Sequence, residues 1–395
     1  MTMTSDPIVI VAARRTPIGA FQGALSALSA PELGAAALRA AIADSGVPPA
    51  ELDEILLGCV LGAGIGQAPA RQAALGADLP NGVPCTTISK VCGSGMRAVM
   101  FGHDQLLAGS ARVVVAGGME SMSNAPYLLP KARGGYRLGH GQLLDHMFFD
   151  GLQDAYEGHL MGHYAEEAAA AWGFGRADQD AYALESVRRA QAALHDGAFA
   201  DEIATLTIRG RSGEHVVAAD ETPGKCDPAK IPQLKPAFRK DGTVTAANSS
   251  SISDGAAALV LMRAAEAERR GLPALARIVG HAGHAQEPAL FTSAPVGAIR
   301  KLLEQTGWHS DSVDLFEINE AFAVVTMIAL RDLGLSHARV NVHGGACALG
   351  HPIGASGARI LVTLIHALRR HGLKRGIASL CIGGGEATAL AVEAV

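Results

Sequence analysis

Cys92 has the sequence surroundings of a reactive thiol. It follows an expected strand, Thr86 to Ser89, and lies in the segment Val91-Cys92-Gly93-Ser94-Gly95-Met96, directly before an expected helix. The unsatisfied N–H groups and the dipole at a helix N-terminus stabilise a thiolate, so we expect Cys92 to have nucleophilic character. A buried structural cysteine in a tight turn is the alternative that its position leaves open.

His351 and Cys381 lie in two glycine-rich segments and could move protons. His351 belongs to Gly350-His351-Pro352-Ile353-Gly354, where an imidazole could act as the general base for a cysteine or could only stabilise its loop. Cys381 follows an expected strand, Ile377 to Leu380, so its thiol could exchange protons with a substrate or could only fill the core. The backbone N–H groups of the glycines that follow, among them Gly383, could bind an oxyanion.

Asn319 lies where an expected strand, Asp314 to Ile318, meets an apolar helix. Its amide could hold a water in an oxyanion site, or it could serve only as the N-cap of the helix. The sequence leaves both interpretations open.

Two other patterns suggest sites that we do not expect. His343, Cys347 and His351 are spaced four residues apart, as metal ligands on one helix face would be, but three glycines and a proline in the same segment oppose a helix. We therefore expect no metal. The run Gly383 to Gly385 lacks the spacing and the following acidic residue of a dinucleotide-binding fingerprint, so we also expect no cofactor.

The elements that carry these residues indicate an α/β fold. All four lie at strand ends or strand-to-helix turns, where open α/β sheets place their ligands. Helical patterns cover Pro31 to Ser45, Gly95 to Ala108 and Gly357 to Arg370, and apolar strands alternate with them.

Composition excludes several other classes of protein. The chain has 395 residues, of which 49% are hydrophobic and 18% are charged, so it is neither a disordered chain nor a disulfide scaffold with its six cysteines. The net charge of −5 gives no indication of a nucleic-acid partner. No apolar run is long enough to span a membrane and the first residues do not form a signal peptide, so we expect a cytoplasmic protein.

The sequence contains an internal repeat. Four anchors recur in the same order at a nearly constant offset, which indicates two related α/β units. The pairs are Gly46 with Gly307, Asp53 with Asp314, Ser94–Arg97 with Ser356–Arg359, and Gly109 with Gly372. Between the units, from about Ser121 to Asn248, the chain is richer in Gly, Pro, His and charge, and we interpret this stretch as an insertion with substrate contacts.

These segments together resemble the thiolase family. The Cys92 segment, Asn319-Glu320-Ala321-Phe322, Gly350-His351-Pro352 and Cys381-Ile382-Gly383-Gly384-Gly385 are similar to its four signature blocks, in family order. Arg15-Thr16-Pro17-Ile18-Gly19 and the segment Asn248 to Ala256 are further matches, so the resemblance covers essentially the whole chain.

The resemblance implies a specific fold and domain organisation. It implies two duplicated βαβαβαββ halves that form a five-layered α-β-α-β-α core with an inserted loop domain. The expected units are residues 1–121 with 249–274 as the N-terminal half, residues 122–248 as the loop domain, and residues 275–395 as the C-terminal half.

The resemblance also implies an acyl transfer between coenzyme A thioesters. Cys92 would take the acyl group, His351 would activate it, and Cys381 would be the second acid/base. Asn319 would hold a water that binds the enolate oxygen together with His351, and the N–H groups of Cys92 and Gly383 would bind the tetrahedral oxyanion. The resemblance places the following residues against the substrate: Ser250, Leu152, Leu160, Met161, Phe238, Ala246, Phe291 and Phe322.

Three positions depart from the family pattern. Leu160 stands where short-chain biosynthetic members usually have histidine, and the adjacent His159 would point elsewhere. Phe291 stands where methionine is common. The basic residue that meets the nucleotide phosphate has no match near Pro223 and Gly224, although Lys225 is close.

The expected activity is the reversible condensation of two acetyl-CoA to acetoacetyl-CoA and CoA. The alternative is a degradative 3-ketoacyl-CoA thiolase of broader chain length. A decarboxylating ketosynthase and a catalytically silent coenzyme A or lipid-binding scaffold are disfavoured by the complete set Cys92, Asn319, His351 and Cys381. We expect a homotetramer if Ser123 to Leu144 is the family's tetramerising loop, and neither a nucleic-acid nor a membrane partner.

Overall fold

The computed structural model describes residues 6–210 and 213–395. Within these residues the strands are β1 (Ile8–Arg15), β2 (Gly19–Ala20), β3 (Glu54–Gly58), β4 (Cys85–Ile88), β5 (Val113–Ser121), β6 (Tyr127–Leu128), β7 (Leu144–Asp145), β8 (Leu206–Gly210), β9 (Gly213–Val217), β10 (Ser253–Arg263), β11 (Ala276–Ala285), β12 (Leu315–Ile318), β13 (Arg375–Ile382) and β14 (Glu386–Ala394). The helices are α1 (Ala30–Ser45), α2 (Pro69–Gly76), α3 (Ser94–Ala108), α4 (Met161–Ala171), α5 (Arg176–His195), α6 (Glu221–Lys225), α7 (Ala264–Arg270), α8 (Ala294–Thr306), α9 (Ala323–Asp332), α10 (Ala346–Leu349) and α11 (Ile353–His371).

Most strands join one hydrogen-bonded sheet. Among the described residues its order is β12-β13-β14-β11-β1-β10-β5-β3-β4, with β2 beside β10. The pairs β12–β13, β3–β4 and β3–β5 are parallel, and the remaining pairs are antiparallel. The two halves of the sheet meet at β1 and β11, where only Val9 with Arg277 and Ile10 with Ala276 are in register.

Alternating strand residues build three apolar layers, because successive side chains point to opposite faces of a strand. Val9 and Val11 face α1 and α2 on the outside of the first half, whereas Ile8 and Ile10 face α3 and α11. The second half covers the other side of α3 and α11 and packs its outer face against α8 and α9. From one outer face of the molecule to the other, the layers are therefore helix, sheet, helix, sheet and helix, which are the five predicted layers.

The repeat anchors have matching structural roles in the two halves. Gly46, Gly307, Gly109 and Gly372 each end a helix in the left-handed conformation, with φ from 65° to 72°, which glycine adopts without strain. The Asp53 carboxylate accepts the N–H groups of Arg112 and Val113 at the start of β5. Asp314 does the same for Lys374 and Arg375 at the start of β13.

The central helices α3 and α11 cross at glycines. A Cβ on Gly357 would lie 2.8 Å from Met96 Cβ and closer still to the Met96 backbone nitrogen, and a Cβ on Gly95 would lie 2.9 Å from the nitrogen of Ala358. Any larger side chain would therefore push the two helices apart. The crossing lies directly beside the segments that carry Cys92 and His351.

The stretch between β5 and β10 lies outside the main sheet. It contains α4, α5, α6 and two small hairpins, and the part from Glu221 to Pro236, which reads as a loop in sequence, includes α6 and a 3₁₀ turn. Buried Arg15 ties this stretch to β1 through Glu202 at 2.5 Å and Asp220 at 2.7 Å. The boundaries at residues 121/122, 248/249 and 274/275 remain predictions.

The apolar helix expected after Asn319 is α9, which is buried and packs against the second half of the sheet. Within residues 6–210 and 213–395, every helix is too short or too polar to cross a bilayer.

Candidate active site

One apolar cavity of about 340 Å³ brings together most of the residues that the sequence singles out. The predicted residues that line it are Cys92, His351, Cys381, Gly383, Ser250, Leu152, Leu160, Met161, Phe238, Ala246, Phe291 and Phe322. Asn319 does not line it but lies directly behind His351, with its Nδ2 3.4 Å from His351 Nε2. Both halves of the chain and the intervening stretch contribute to the wall.

Cys92 sits in a tight turn between β4 and α3. Ser94 closes the turn, since its hydroxyl accepts the Lys90 N–H and donates to the Val91 carbonyl. Burial raises the pKa of the Cys92 thiol to about 11, and the backbone N–H groups of Gly383 and of Cys92 itself offset only part of this rise. The expected nucleophilic character of Cys92 stays a prediction, since burial opposes the thiolate in the resting protein whereas these backbone N–H groups favour it.

His351 is held in one tautomer by Ser356. The Ser356 hydroxyl donates to the Pro352 carbonyl at 2.9 Å, so its oxygen accepts the proton of His351 Nδ1 at 2.5 Å. The lone pair is then on Nε2. Burial and the nearby Arg359 charge lower the pKa of His351 to about 3, which keeps the imidazole neutral in the resting protein.

Cys381 lies within β13, opposite Ala387 of β14, rather than after the strand as the sequence suggests. The strand continues for two residues beyond its expected end because β14 pairs with it as far as Ile382. Burial, followed by the proximity of Cys92, raises the pKa of the Cys381 thiol. Its anion is therefore a strong base when a reaction generates it.

Asn319 is not a helix cap. Helix α9 begins only at Ala323, and Phe322 occupies the N-cap position. The buried Asn319 amide instead lies between Arg359 of α11 and His351 of the loop before that helix. Its Oδ1 is 3.5 Å from Arg359 Nη2, and its Nδ2 faces His351. The N-cap alternative is thus ruled out, whereas the predicted catalytic role remains a prediction.

Three phenylalanines form the apolar side of the cavity. Phe322 lies edge-to-face with Phe238 and Phe291, with ring centroids 6.0 and 6.3 Å apart. Gly162 allows the Phe238 ring to lie flat against α4, since any Cβ there would overlap the ring. This packing leaves a narrow apolar space in front of Cys92.

Sequence reasoning missed several residues of the wall. They are Met122, Phe148, Gly151, Ala237, Ser249, Ser251, Ile252, Ala321 and Ile353. Four of these nine lie in the inserted stretch, and most of the nine are small or apolar residues that carry no chemical signature. Ser356 and Arg359 stand out in the sequence only as repeat anchors, although Ser356 contacts His351 and Arg359 contacts Asn319.

The structure separates other candidate residues. Lys225 forms an ion pair with Glu221 at 2.6 Å, and His159 stacks on His163 beside the cavity wall. The spacing of His343, Cys347 and His351 does not make a cluster, since His343 contacts His371 and Cys347 contacts Glu320.

Another group has the spacing of metal ligands: His103, Asp104 and His281. Both ring nitrogens lie within 3.2 Å of the same oxygen, Asp104 Oδ1. Hydrogen bonding of the two rings to one carboxylate oxygen accounts for this arrangement.

Comparison with known proteins gives a consistent result over the whole chain. Residues 8–265 match the family model "Thiolase, N-terminal domain" and residues 272–394 match "Thiolase, C-terminal domain". An acetyl-CoA acetyltransferase from Pseudomonas aeruginosa is 51% identical over 385 residues, which is 97% of this chain and 98% of the relative.

Solved structures agree. The Bacillus anthracis acetyl-CoA acetyltransferase superposes with a TM-score of 0.96 at 44% identity and 99% coverage of both chains. Acat5 thiolase from Ascaris suum in complex with coenzyme A gives a TM-score of 0.93 at 43% identity, with 98% of this chain and 100% of that chain covered.

Proposed function

Because this chain belongs to the thiolase family and is an acyltransferase, we propose that it joins two acetyl-CoA molecules into acetoacetyl-CoA and free CoA through an acetyl-Cys92 intermediate. The reverse reaction is thiolysis of acetoacetyl-CoA. The observation that carries this proposal is the convergence of Cys92, His351, Cys381 and the Gly383 backbone on one apolar cavity.

The first half-reaction acetylates Cys92. The thiol gives its proton to His351 Nε2, the sulfur attacks the thioester carbonyl, and the C–S bond to coenzyme A breaks. Two backbone donors, the N–H groups of Cys92 and Gly383, already face the Cys92 sulfur and stabilise the oxyanion of the tetrahedral intermediate. Cys381 protonates the departing coenzyme A thiolate and is left as a thiolate itself.

The second half-reaction forms the carbon–carbon bond. The Cys381 thiolate removes a Cα proton from a second acetyl-CoA, and the resulting enolate attacks acetyl-Cys92. His351, now protonated on Nε2, and a water on Asn319 stabilise the enolate oxygen. The tetrahedral intermediate then collapses, and the Cys92 thiolate leaves and recovers its proton from His351, which returns every group to its starting state.

The cavity supports a short acyl group. Phe291 lines the cavity, is buried and packs against Phe322, and in this proposal the two rings limit the length of the acyl group. Ser250 and the apolar residues Leu152, Leu160 and Met161 line the approach, where the pantetheine arm would lie. No cofactor is needed for this chemistry.

Acetylation of a single cysteine tests the mechanism. Incubation with acetyl-CoA should add one acetyl group, detected by intact-mass analysis and located on Cys92 by peptide mapping. The Cys92→Ala variant should take up none. The matched control is Cys85→Ala, since Cys85 is another partly buried, reduced cysteine outside the cavity. Acetylation that persists in Cys92→Ala would refute the mechanism.

Chain length is tested by thiolysis of 3-ketoacyl-CoA substrates from four to ten carbons. A steep fall in kcat/KM beyond acetoacetyl-CoA supports the proposal. A flat profile would refute the acetoacetyl preference and would support the degradative alternative, in which longer chains are cleaved.

We also propose a homotetramer that forms through residues 123–144. This segment exposes five large apolar side chains, among them Leu138 at 98% and Leu143 at 63% exposure, which is unusual on a surface that stays in water. Light scattering should show that Leu138→Asp dissociates the tetramer, whereas the matched control Leu75→Asp, on exposed α2, should not. A wild-type monomer or dimer would contradict the proposal.

The proposed location is the cytoplasm. All six cysteines are free thiols, which suits a reducing compartment. Activity recovered in the membrane or secreted fraction after cell fractionation would overturn this assignment.

A further inference from the structure

Arg359 is a buried cation at the centre of the molecule. It lies on α11 one turn after Ser356, is 2% exposed, and its closest carboxylate is Glu317, with Oε2 3.6 Å from Nη1. Among the described residues, its Nε and Nη1 have no hydrogen-bond partner. Burying a guanidinium with so few partners is costly, so a function of this residue is a better explanation than packing alone.

The polar contact that Arg359 does make is with a catalytic candidate. Its Nη2 lies 3.5 Å from Asn319 Oδ1, and the Asn319 Nδ2 lies 3.4 Å from His351 Nε2. Since residues three apart share one face of a helix, α11 directs Ser356 at His351 and Arg359 at Asn319 from the same side.

The chemistry of the guanidinium fixes the direction of the amide. Arginine has only donors, so its guanidinium donates to the amide oxygen and repels the amide NH₂. Nδ2 is thereby turned towards His351 and the cavity. Without Arg359 the amide could rotate by 180° about its last bond, which would place Oδ1 against the Nε2 lone pair and remove a donor from the enolate side.

We propose that Arg359 is a positioning residue that acts through Asn319, holding the amide with Nδ2 on the His351 side, where it can donate to the water that binds the enolate oxygen. The inference rests on the proposed function, because it assigns Arg359 to the half-reaction that forms the enolate. Cys92 acetylation does not use Asn319 in that scheme. Loss of the Arg359 charge would make His351 a stronger base, so it should not slow acetylation.

The test separates the two half-reactions. Rapid-quench acetylation of Cys92 reports the first, and enzyme-catalysed exchange of the acetyl-CoA methyl protons with deuterated water, followed by NMR, reports enolate formation. For Arg359→Met we expect acetylation at no less than about a third of the wild-type rate. Proton exchange should be slower by about tenfold to a hundredfold, the range found when a group that supports an active-site residue is lost. Arg359→Lys should recover part of the exchange.

A matched control comes from the other half of the chain. Arg97 occupies the repeat position of Arg359 on α3, but its guanidinium stacks on Phe101 at 4.3 Å from the ring centroid. Arg97→Met should leave both half-reactions unchanged. Thermal unfolding of each variant verifies that it is folded, and Arg359→Lys provides the comparison if the methionine variant is not.

A double-mutant cycle decides whether Arg359 acts through Asn319. If it does, the exchange rate of Asn319→Ala/Arg359→Met equals that of Asn319→Ala alone. Two effects that multiply would refute the inference, and so would an equal loss of acetylation and exchange in Arg359→Met and Arg359→Lys. Failure of the wild type to acetylate Cys92 or to exchange protons would instead refute the proposed function.

Discussion

Replacing Gly357 by alanine tests whether the crossing of α3 and α11 sets the geometry of the active site. In an ordinary helix, alanine in place of glycine stabilises the fold by about 1 kcal/mol. Here the new Cβ would lie 2.8 Å from Met96 Cβ and closer to the Met96 nitrogen, and backbone atoms cannot move aside as a side chain can.

The size of the effect follows from these two terms. Overpacking of this kind costs about 1–3 kcal/mol, and the upper end applies because the obstruction is backbone. After the helix gain of about 1 kcal/mol, the net loss of stability is about 2 kcal/mol. With the usual unfolding entropy per residue, this lowers Tm by about 2–3 °C in a chain of this length.

The effect on catalysis should be larger than the effect on stability. The Met96 nitrogen must move by several tenths of an ångström, which shifts Cys92 relative to His351 because each lies on a segment that leads into one of the two helices. A displacement near 1 Å can cost about a hundredfold in rate. We expect the Gly357→Ala variant to acetylate Cys92 about tenfold to a hundredfold more slowly while it remains folded at 25 °C.

Gly102→Ala is the matched control on α3. Its new Cβ would meet only side-chain atoms, the nearest being Val114 Cγ1 at 3.1 Å, and these can adjust. Differential scanning calorimetry and rapid-quench acetylation should show little change in either property. A Gly357→Ala variant with wild-type Tm and rate, or one that matches Gly102→Ala in both, would refute the reasoning.

Three more predictions concern the site and its support. Ser356→Ala removes the acceptor that fixes the His351 tautomer, so rapid-quench acetylation of Cys92 should slow by about tenfold, the rate equivalent of one hydrogen bond of about 1.4 kcal/mol. The Ser356→Thr variant keeps the hydroxyl and should acetylate at nearly the wild-type rate. Equal rates in the two variants would contradict the role of the hydroxyl. Burial raises the pKa of Glu120 from its ordinary value of 4.5 to about 7. Between these two pH values the folded protein holds a proton on Glu120 that the unfolded chain has lost. The free energy of unfolding should therefore fall by about 3 kcal/mol as pH rises across this window. Urea unfolding at pH 5 and pH 8 should show a smaller fall for Glu120→Gln than for wild type. Phe291→Ala should enlarge the cavity beside Phe322, so the ratio of the thiolysis rate for a six-carbon substrate to that for a four-carbon substrate should rise. The substitution should cost about 3–5 kcal/mol of stability. An unchanged ratio would show that Phe291 does not limit the length of the acyl group.

Sequence patterns predicted the α/β layers well because the repeated anchors report local requirements. A left-handed glycine at a helix end needs only its neighbours in the chain, so Gly46 and its counterparts are recognisable in sequence. Asp53 and Asp314 accept backbone N–H groups about 60 residues further along, and they are recognisable because the same pattern occurs twice. The family resemblance placed the cavity residues, because its signature blocks coincide with the turns that face the cavity.

What the sequence could not provide depends on groups that are distant along the chain. The rise in the pKa of Cys92 comes from loss of solvent when the whole cavity closes, whereas the sequence reveals only the adjacent helix. The tautomer of His351 and the direction of the Asn319 amide depend on Ser356 and Arg359. Those residues look like ordinary helix positions until α11 is packed between the two halves of the sheet.

The position of β14 has a consequence for how the molecule is made. β14 follows the other described strands in chain order, yet it lies inside the sheet, between β13 and β11. During synthesis Cys92 and α3 emerge from the ribosome long before His351 and α11, so α3 is at first not packed against α11. The sheet that positions Cys92, His351 and Cys381 is therefore complete only after the nine residues of β14 have been synthesised and have paired with both β13 and β11.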